Sequence, residues 1–459
     1  MADLESLSRT ELIAVIVEQQ RQLEELKREI DQLRRGRGQA APFSKGRRTN
    51  NPQRPGRKPG QGPFLRRQEP QAEGGDAVVV EVPVMEPSCP DCGGMLGPGH
   101  IARASVMDLP ETPQPVVRIY DVEVRSCQRC GQTVRGRHPE VAADQHGATA
   151  HRVGPRLKAA AHALHYGLGV PVRRVPAILA ELTGIRLTQG AITQDALKQA
   201  ERAVGAAYRQ LRAGIGRAPV VHTDDTGWRT GGETSHLMVF DTDQATVYQI
   251  RPQHRNEEVR ELIPADYGGV MVADRGKSYD AEELLGVAQQ KCFSHLIRNV
   301  SDVVKVKRGR ARQFGQGLKE LLQSALRLWH QHQQQPAVNF RAEVQRLEDQ
   351  LTYSLRNRIL RDDDNQRLLN GIGTQNDRGH LLRFLDDPGI EPTNNRAERA
   401  LRPAVIARKV SHCSKNQRGA EAFAAFTSLA QTIRKTSGVS LIDSLSGLIR
   451  HRSPQPASP

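Results

Sequence analysis

Three acidic residues stand where the sequence offers them to one reaction centre. Asp224 ends the β-rich run Val220-Val-His-Thr-Asp224, and Asp274 ends another, Gly269-Val-Met-Val-Ala-Asp274. Glu398 opens a helical stretch in Asn394-Asn395-Arg-Ala-Glu398-Arg399. Each acid alone reads as an ordinary strand-end or helix-surface carboxylate; the combination points to chemistry. Hard cations such as Mg²⁺ prefer carboxylate oxygens completed by water and substrate phosphate. Two such ions roughly 3.5–4 Å apart can activate an attacking oxygen and stabilise the leaving one in an in-line displacement at phosphorus. The asparagines before Glu398 suit a helix cap. Arg396, Arg399 and Arg402 follow, the last two near the Glu398 face by their three- to four-residue spacing. Such arginines suit a phosphate-bearing substrate better than a purely structural ion pair.

A second chemistry belongs to cysteine. Cys89-Pro-Asp-Cys92 and Cys127-Gln-Arg-Cys130 are Cys-x-x-Cys pairs, each followed by glycine, Gly93 and Gly131. A glycine there lets the backbone turn so that amide N–H groups face thiolate sulfur, and four thiolates complete a closed tetrahedral zinc site. The 34 residues between the pairs are more than a compact ribbon needs, and a redox disulfide is the competing reading. Six cysteines in 459 residues are too few for a disulfide framework. Cys292 and Cys413 stand alone and read as small buried hydrophobes.

Positioning the acids requires a sheet. From Pro219 the texture is α/β: Val220–Asp224, Leu237–Val239, Ala245–Ile250 and Gly269–Asp274 read as strands, with a helical stretch over Arg255–Leu262 and a fifth strand over Lys291–Ser294. Three strands in a meander, a helix, then further strands is the order of a ribonuclease-H-like fold. There the first and fourth strands are neighbours, so Asp224 and Asp274 would meet at one end of the sheet. The 123 residues between Asp274 and Glu398 exceed what one strand and two helices require. Their Leu-, Gln- and Arg-rich part reads as a helical insertion, with helices over Leu318–His330 and Val338–Leu360.

Upstream, Leu12, Ile16, Gln19, Leu23, Leu26, Ile30 and Leu33 alternate four and three residues apart. Isoleucine at the a positions with leucine at d favours a parallel two-stranded coiled coil, hence a homodimer; an amphipathic helix on the protein's own core is the alternative. Arg34–Pro70 holds eleven lysines and arginines against one acid, Glu69, in a chain whose formal charge is +15. A stretch so rich in Gly and Pro cannot bury enough surface to fold alone. Its charge points to a polyanion, and Arg54, Arg57 and Lys58 could thread a minor groove or simply be a solvated linker. Val78–Val84 and Val116–Val124 read as strands leading to the cysteine pairs. Val153 to Ala213 reads as helices over Arg156–Tyr166, up to Leu182, and onward from a Thr188 cap, a helix-turn-helix outline. No apolar run approaches the ~18 residues that would span a bilayer, and the N-terminus lacks a signal-peptide pattern; a cytoplasmic protein is expected.

Four segments together resemble the IS66 family of bacterial insertion-sequence transposases: Thr223-Asp-Asp-Thr226, Val272-Ala-Asp-Arg275, Cys292-Phe-Ser-His-Leu-Ile-Arg298, and Glu391-Pro-Thr-Asn-Asn-Arg-Ala-Glu-Arg-Ala-Leu-Arg-Pro403 with Arg408-Lys409. The order of parts matches as well. The resemblance implies a DDE-type transposase that binds element ends as double-stranded DNA. It would cleave and rejoin phosphodiester bonds with two Mg²⁺ or Mn²⁺ ions on Asp224, Asp274 and Glu398, Asp225 being the alternative first ligand. DNA contacts fall on Arg54, Arg57, Lys58, Arg396, Arg399, Arg402, Arg408 and Lys409. Helper proteins of the same element are implied too. The organisation expected is a multidomain α/β chain: coiled coil 1–35, basic linker 36–76, zinc domain 77–140, helical DNA-binding segment 141–215, ribonuclease-H-like core 216–300, helical insertion 301–390, second part of the core 391–436, and a C-terminal helix and tail 437–459. The competing functions are a catalytically silent DNA-binding regulator and a nuclease of the same fold without strand transfer.

Overall fold

The computed structural model describes residues 20, 22, 83, 85, 88, 90–98, 115–136, 153–335, 338–356, 358–411 and 413–450. The expected coiled coil, apart from helical Gln20 and Gln22, lies outside the described residues, as do Arg54, Arg57, Lys58 and Cys89. The chain divides into two units, Met1–Glu111 and Thr112–Pro459. In the first, the described residues include a turn at Pro90–Cys92, followed by Gly93 at φ +73°.

In the second unit a hairpin pairs β1 (Val124–Ser126) with β2 (Thr133–Arg135), Val124 opposite Arg135. The strand expected over Val116–Val124 therefore begins only at its last residue. Val116, Val117 and Ile119 are exposed and have no ladder to join. Four helices follow: α1 (Pro155–His162, running on into a π-helical turn, Ala163–Gly167), α2 (Val175–Thr183), α3 (Gln189–Glu201) and α4 (Ala203–Ile215). Gly184, at φ +69°, lets α2 end in the left-handed turn that side chains with a Cβ avoid. Thr188 caps α3, its hydroxyl accepting from the Ala191 amide at 3.1 Å. The sequence signals of helix, glycine turn and threonine cap are thus all realised here.

Beyond them lies a five-stranded sheet of order β5-β4-β3-β6-β7. Its strands are β3 (Val220–Thr230), β4 (Glu233–Asp241), β5 (Thr246–Arg251), β6 (Val270–Ala273) and β7 (Ala288–Lys291). The first three form an antiparallel meander, while β6 and β7 run parallel to β3. Helix α5 (Asn256–Arg260) lies between β5 and β6.

The fifth strand differs from expectation. It covers Ala288–Lys291, and Cys292 is already the cap of α6 (Phe293–Val306). Gln289, Gln290 and Lys291 are polar yet buried, which hides the strand from a hydropathy reading. Carbonyls from other parts of the fold accept from their side-chain amides: Gln289 donates to Tyr279 O and Gln290 to Leu381 O, both at 2.8 Å. The apolar pair Cys292-Phe293 instead begins the helix, where Phe293 meets Phe384 edge-on at 4.9 Å between ring centroids.

Between α6 and the Glu398 helix the chain is helical: α7 (Gly309–Gln334), α8 (Phe340–Leu355), α9 (Asp363–Asp377) and α10 (Arg383–Asp386). Leu318, Leu322, Val344, Leu347, Leu351 and Ile372 join Phe293 and Val272 in one apolar cluster, which seats these helices on the sheet. The chain closes with α11 (Asn395–Ser411), α12 (Gln417–Ile433) and α13 (Leu441–Arg450).

Both sheet edges are covered, which removes the unpaired ladders that invite aggregation. On β5, the amides of Tyr248 and Thr246 donate to Ser428 Oγ (2.8 Å) and Thr432 Oγ1 (3.0 Å), hydroxyls one helical turn apart on α12. On β7, the Lys291 amide donates to His380 O at 2.8 Å, and the Phe384 amide to Gln290 Oε1 at 3.2 Å. Among the described residues no helix is long and apolar enough to cross a membrane.

Candidate active site

Strand alternation sorts the acids. Successive side chains of β3 point to opposite faces. Val221 joins Met238, Phe240 and Met271 in one cluster, whereas Trp228 joins Leu237, Val239 and the α11 residues Ala397, Leu401 and Ala404 in another. Asp224, opposite Val239, faces the α11 side; Asp225, opposite Met238, faces the other. The alternation of β6, where Val272 pairs with His222, carries Asp274 to the side of Asp224. Small residues at 397, 404 and 407 let α11 lie close to the sheet, with Glu398 in its first turn.

Asp224 lies in the field of the other acids. Burial first, then the charges of Asp274, Asp225 and Glu398, push the Asp224 carboxyl up to about 6, although the Asp225 amide donates to its Oδ1 at 2.9 Å. Acidic charges bearing on one buried carboxyl in this way are compatible with a site that a hard cation would neutralise. On this face the donor set is all carboxylate, which suits a hard divalent ion. His295 of α6 approaches from the other side, its Nε2 3.9 Å from Glu398 Oε1. Its pairing with the Cys292 thiol, and then the charge of Glu398, hold the imidazole above its ordinary value.

Side chains around the acids fix their frames. The amide of Gly276 donates to Asp274 Oδ1 at 2.9 Å, and a Cβ on Gly276 would stand 3.0 Å from that same oxygen. Lys291, with no exposed side-chain surface, pairs with Asp280 at 2.8 Å and donates to the Asp274 carbonyl at 3.3 Å, bracing the loop between them. Asn394, expected as a helix cap, directs its side-chain amide to the strand instead: Nδ2 donates to the Thr223 carbonyl at 2.7 Å. Its own amide donates to Cys292 Sγ at 3.1 Å, and its carbonyl accepts from the Glu398 amide at 3.1 Å. One buried side chain thus ties the start of α11 to the strand residue before Asp224. Asn394→Ala is expected to cost about 1–3 kcal/mol, because the Thr223 carbonyl is left buried without its donor. Misplacing Glu398 by an ångström should slow DNA cleavage by about 10²-fold. Denaturant melts and a cleavage assay on the same preparation separate the two effects.

The arginines divide. Arg396 pairs with Asp241 at 2.6 Å and with Asp243, and Lys435 reaches Asp241 at 2.9 Å, so Arg396 clamps α11 to the end of β4. Arg408 donates to Thr226 Oγ1 at 2.9 Å and to the Gly227 carbonyl. Arg399, Arg402 and Lys409 are exposed. Sequence reasoning had set Arg396 with the substrate-facing group; its partners Asp241 and Asp243 are some 150 residues away, and no spacing rule links them. Lys291 and the histidines His236 and His254, which flank Asp225, were missed for the same reason.

The second cysteine pair forms a tight turn between β1 and β2. The Gly131 amide donates to Cys127 O and the Cys127 amide to Gln132 O, both at 2.8 Å, with Gly131 at φ +70°. Hydrogen bonds from the backbone of Cys130 and Arg129 lower the Cys127 thiol. Amides that donate to sulfur favour the thiolate, the form in which cysteine binds metal.

The strand expected to end at Asp224 in fact runs on to Thr230, so Asp224 lies within β3, just past its parallel pairing with β6, and Asp274 directly follows β6. A mixed sheet of this order, with acids on two neighbouring parallel strands and a third on a covering helix, is consistent with the ribonuclease-H-like core of the DDE enzymes. Residues 151–422, more than half of the chain, match the family model described as "Transposase IS66 family", and the chain belongs to that family. It is a DDE transposase, and its reaction is DNA transposition, which entails binding DNA. Enzymes of this class use divalent metal ions. No curated protein matches the chain closely enough to be named as a relative.

Proposed function

We propose that Asp224, Asp274 and Glu398 are the catalytic triad and hold two Mg²⁺ or Mn²⁺ ions in a ribonuclease-H-like core. The observation that carries this reading is the convergence of three carboxylates, from three elements, on one face of the sheet. When bound, the ions would activate the attacking oxygen and stabilise the leaving one. The chain's own residues do the positioning: β3 and β6 set two acids side by side, Asn394 fixes the third, and Lys291 braces the Asp274 loop. Asp225, on the opposite face, is not in this set. Incubation with Mg²⁺ and the ends of the element, scoring 3′-end cleavage and joining separately, tests the proposal. Cleavage without joining would point to a nuclease, and neither activity under conditions of DNA binding would point to a regulator.

Exposed Arg399, Arg402 and Lys409 suit phosphates of the DNA entering this face, whereas Arg396 and Arg408 act by holding α11 against the sheet. The basic linker, with Arg54, Arg57 and Lys58, adds charge-based affinity. Residues 1–35 form the dimer as a parallel coiled coil. Cys89, Cys92, Cys127 and Cys130 hold one structural zinc, a reading supported by the two Cys-x-x-Cys-Gly spacings and the Cys127–Gly131 turn. Purified, reduced protein is expected to carry about one zinc per chain. Cys127→Ser should release that zinc and loosen its segment while Mg²⁺-dependent cleavage of preformed ends persists. Metal analysis showing no zinc in wild-type protein would remove the site.

A further inference from the structure

Asp225 meets two histidines on the face turned away from the triad. His254, in the loop after β5, places Nδ1 3.2 Å from Asp225 Oδ1; His236 of β4 places Nδ1 3.4 Å from Oδ2. One ligand atom from each of the three residues lies within 4.8 Å of the others. The imidazole rings stand 6.0 Å apart at 44°. His254 is nine-tenths buried and packs edge-on against Tyr279, with 5.4 Å between ring centroids. Its Nε2 is buried with no hydrogen-bond partner, so the only polar outlet of this ring is into the cluster. His236 and Asp225 are each about a third exposed, which leaves the front of the cluster open to water.

Two imidazole nitrogens and one carboxylate oxygen around a common point form a donor set for borderline transition cations such as Zn²⁺, Co²⁺, Ni²⁺ or Mn²⁺. Mg²⁺, which prefers oxygen and keeps its waters, is a poor match. Ligands about 2.1 Å from an ion lie roughly 3.0–3.4 Å apart at octahedral to tetrahedral angles; the two nitrogen–oxygen separations, 3.2 Å to Oδ1 and 3.4 Å to Oδ2, are of that size, the carboxylate turning one oxygen to each imidazole. Plain hydrogen bonding is the competing account: the His254 contact at 3.2 Å is of ordinary length and the His236 contact at 3.4 Å is long, but neither accounts for two imidazoles, one of them buried, turned onto a single carboxylate. We infer that Asp225, His236 and His254 bind one divalent transition-metal ion, distinct from the ions of the triad, with solvent completing its coordination. Such an ion ties together β3, β4 and the loop after β5 at the residue following Asp224.

Cobalt(II) titration of the full-length chain tests this. Wild-type protein should show a cobalt d–d band from a nitrogen and oxygen site that survives both Cys127→Ser and Asp274→Asn. In the double variant His236→Gln/His254→Gln that band should vanish, with one cobalt fewer per chain. Asp225→Asn, which keeps the side chain's shape, should weaken cobalt binding by at least about tenfold. Circular dichroism confirms that each variant is folded, and if the double variant is not, the Asp225→Asn result decides. Wild-type cobalt stoichiometry and spectrum in folded histidine or Asp225 variants would overturn the proposal. So would a wild-type chain whose cobalt is entirely lost in Cys127→Ser combined with Asp274→Asn.

Discussion

Asp274→Ala should abolish strand cleavage while leaving DNA binding and the fold in place, and Asp224→Asn and Glu398→Gln should do the same. A pair of bound cations supplies several kcal/mol to a displacement at phosphorus, and each ~1.4 kcal/mol is a factor of ten, so the expected loss is about 10³-fold or more. Stability should move the other way. The Asp224 carboxyl, at about 6 in the folded protein, lies well above the ~3.9 of an unfolded aspartate. Between those values the folded state binds more protons than the unfolded one. The stability of the metal-free protein therefore falls as pH rises through that window. Asp224→Asn removes the penalty, so its metal-free melting temperature at pH 7 should match or exceed that of wild type, with a flatter pH dependence. Mg²⁺ should raise the melting temperature of wild type and not of the variant, since only a state that binds the ion is stabilised by it. Full cleavage by any of the three variants would remove that residue from the site. A variant that is inactive but also markedly less stable without metal would mean its acid is structural.

The parts of this site that were legible in the sequence are those written in local pattern. Asp274 closes a run of β-formers, Asp224 sits in one that the structure extends to Thr230, and the two-residue period of β3 is enough to set Asp224 and Asp225 on opposite faces. Thr188 and Gly184 announce a helix start and a helix stop through their own backbone chemistry. What escaped was specified by partners distant in the chain. The strand Ala288–Lys291 is polar because its glutamines and lysine bond to carbonyls of residues 274–280 and 381, and hydropathy reads such a strand as a loop. Arg396 carried the expected charge, but its partners Asp241 and Asp243, at and just past the end of β4, could not be read from spacing. The grouping of His236 and His254 with Asp225 exists only once β4 has paired with β3 and the loop after β5 has folded back.

Deleting the basic stretch Arg34–Arg67 should change DNA affinity more than any single point substitution. This segment carries eleven of the chain's 66 lysines and arginines and none of its acids. Each phosphate neutralised on duplex DNA contributes about −0.9 to the slope of log K against log salt. Eleven basic residues engage only some phosphates at once. If about six are held, the slope should become shallower by roughly 5, and the affinity lost between ~50 and ~200 mM salt should shrink by about 10³-fold. Preference for the element's ends should survive the deletion, because phosphate contacts position a protein without specifying bases. That preference would then rest on folded elements, with α3 and its exposed Gln189, Thr193 and Gln194 the first place to look. Binding isotherms over a salt series, on end-containing and scrambled duplexes, measure both quantities. An unchanged slope would make the segment a spacer. Lost end preference with the slope intact would instead assign Arg54, Arg57 and Lys58 to reading a minor groove, where arginine senses width and A·T content through few phosphate contacts.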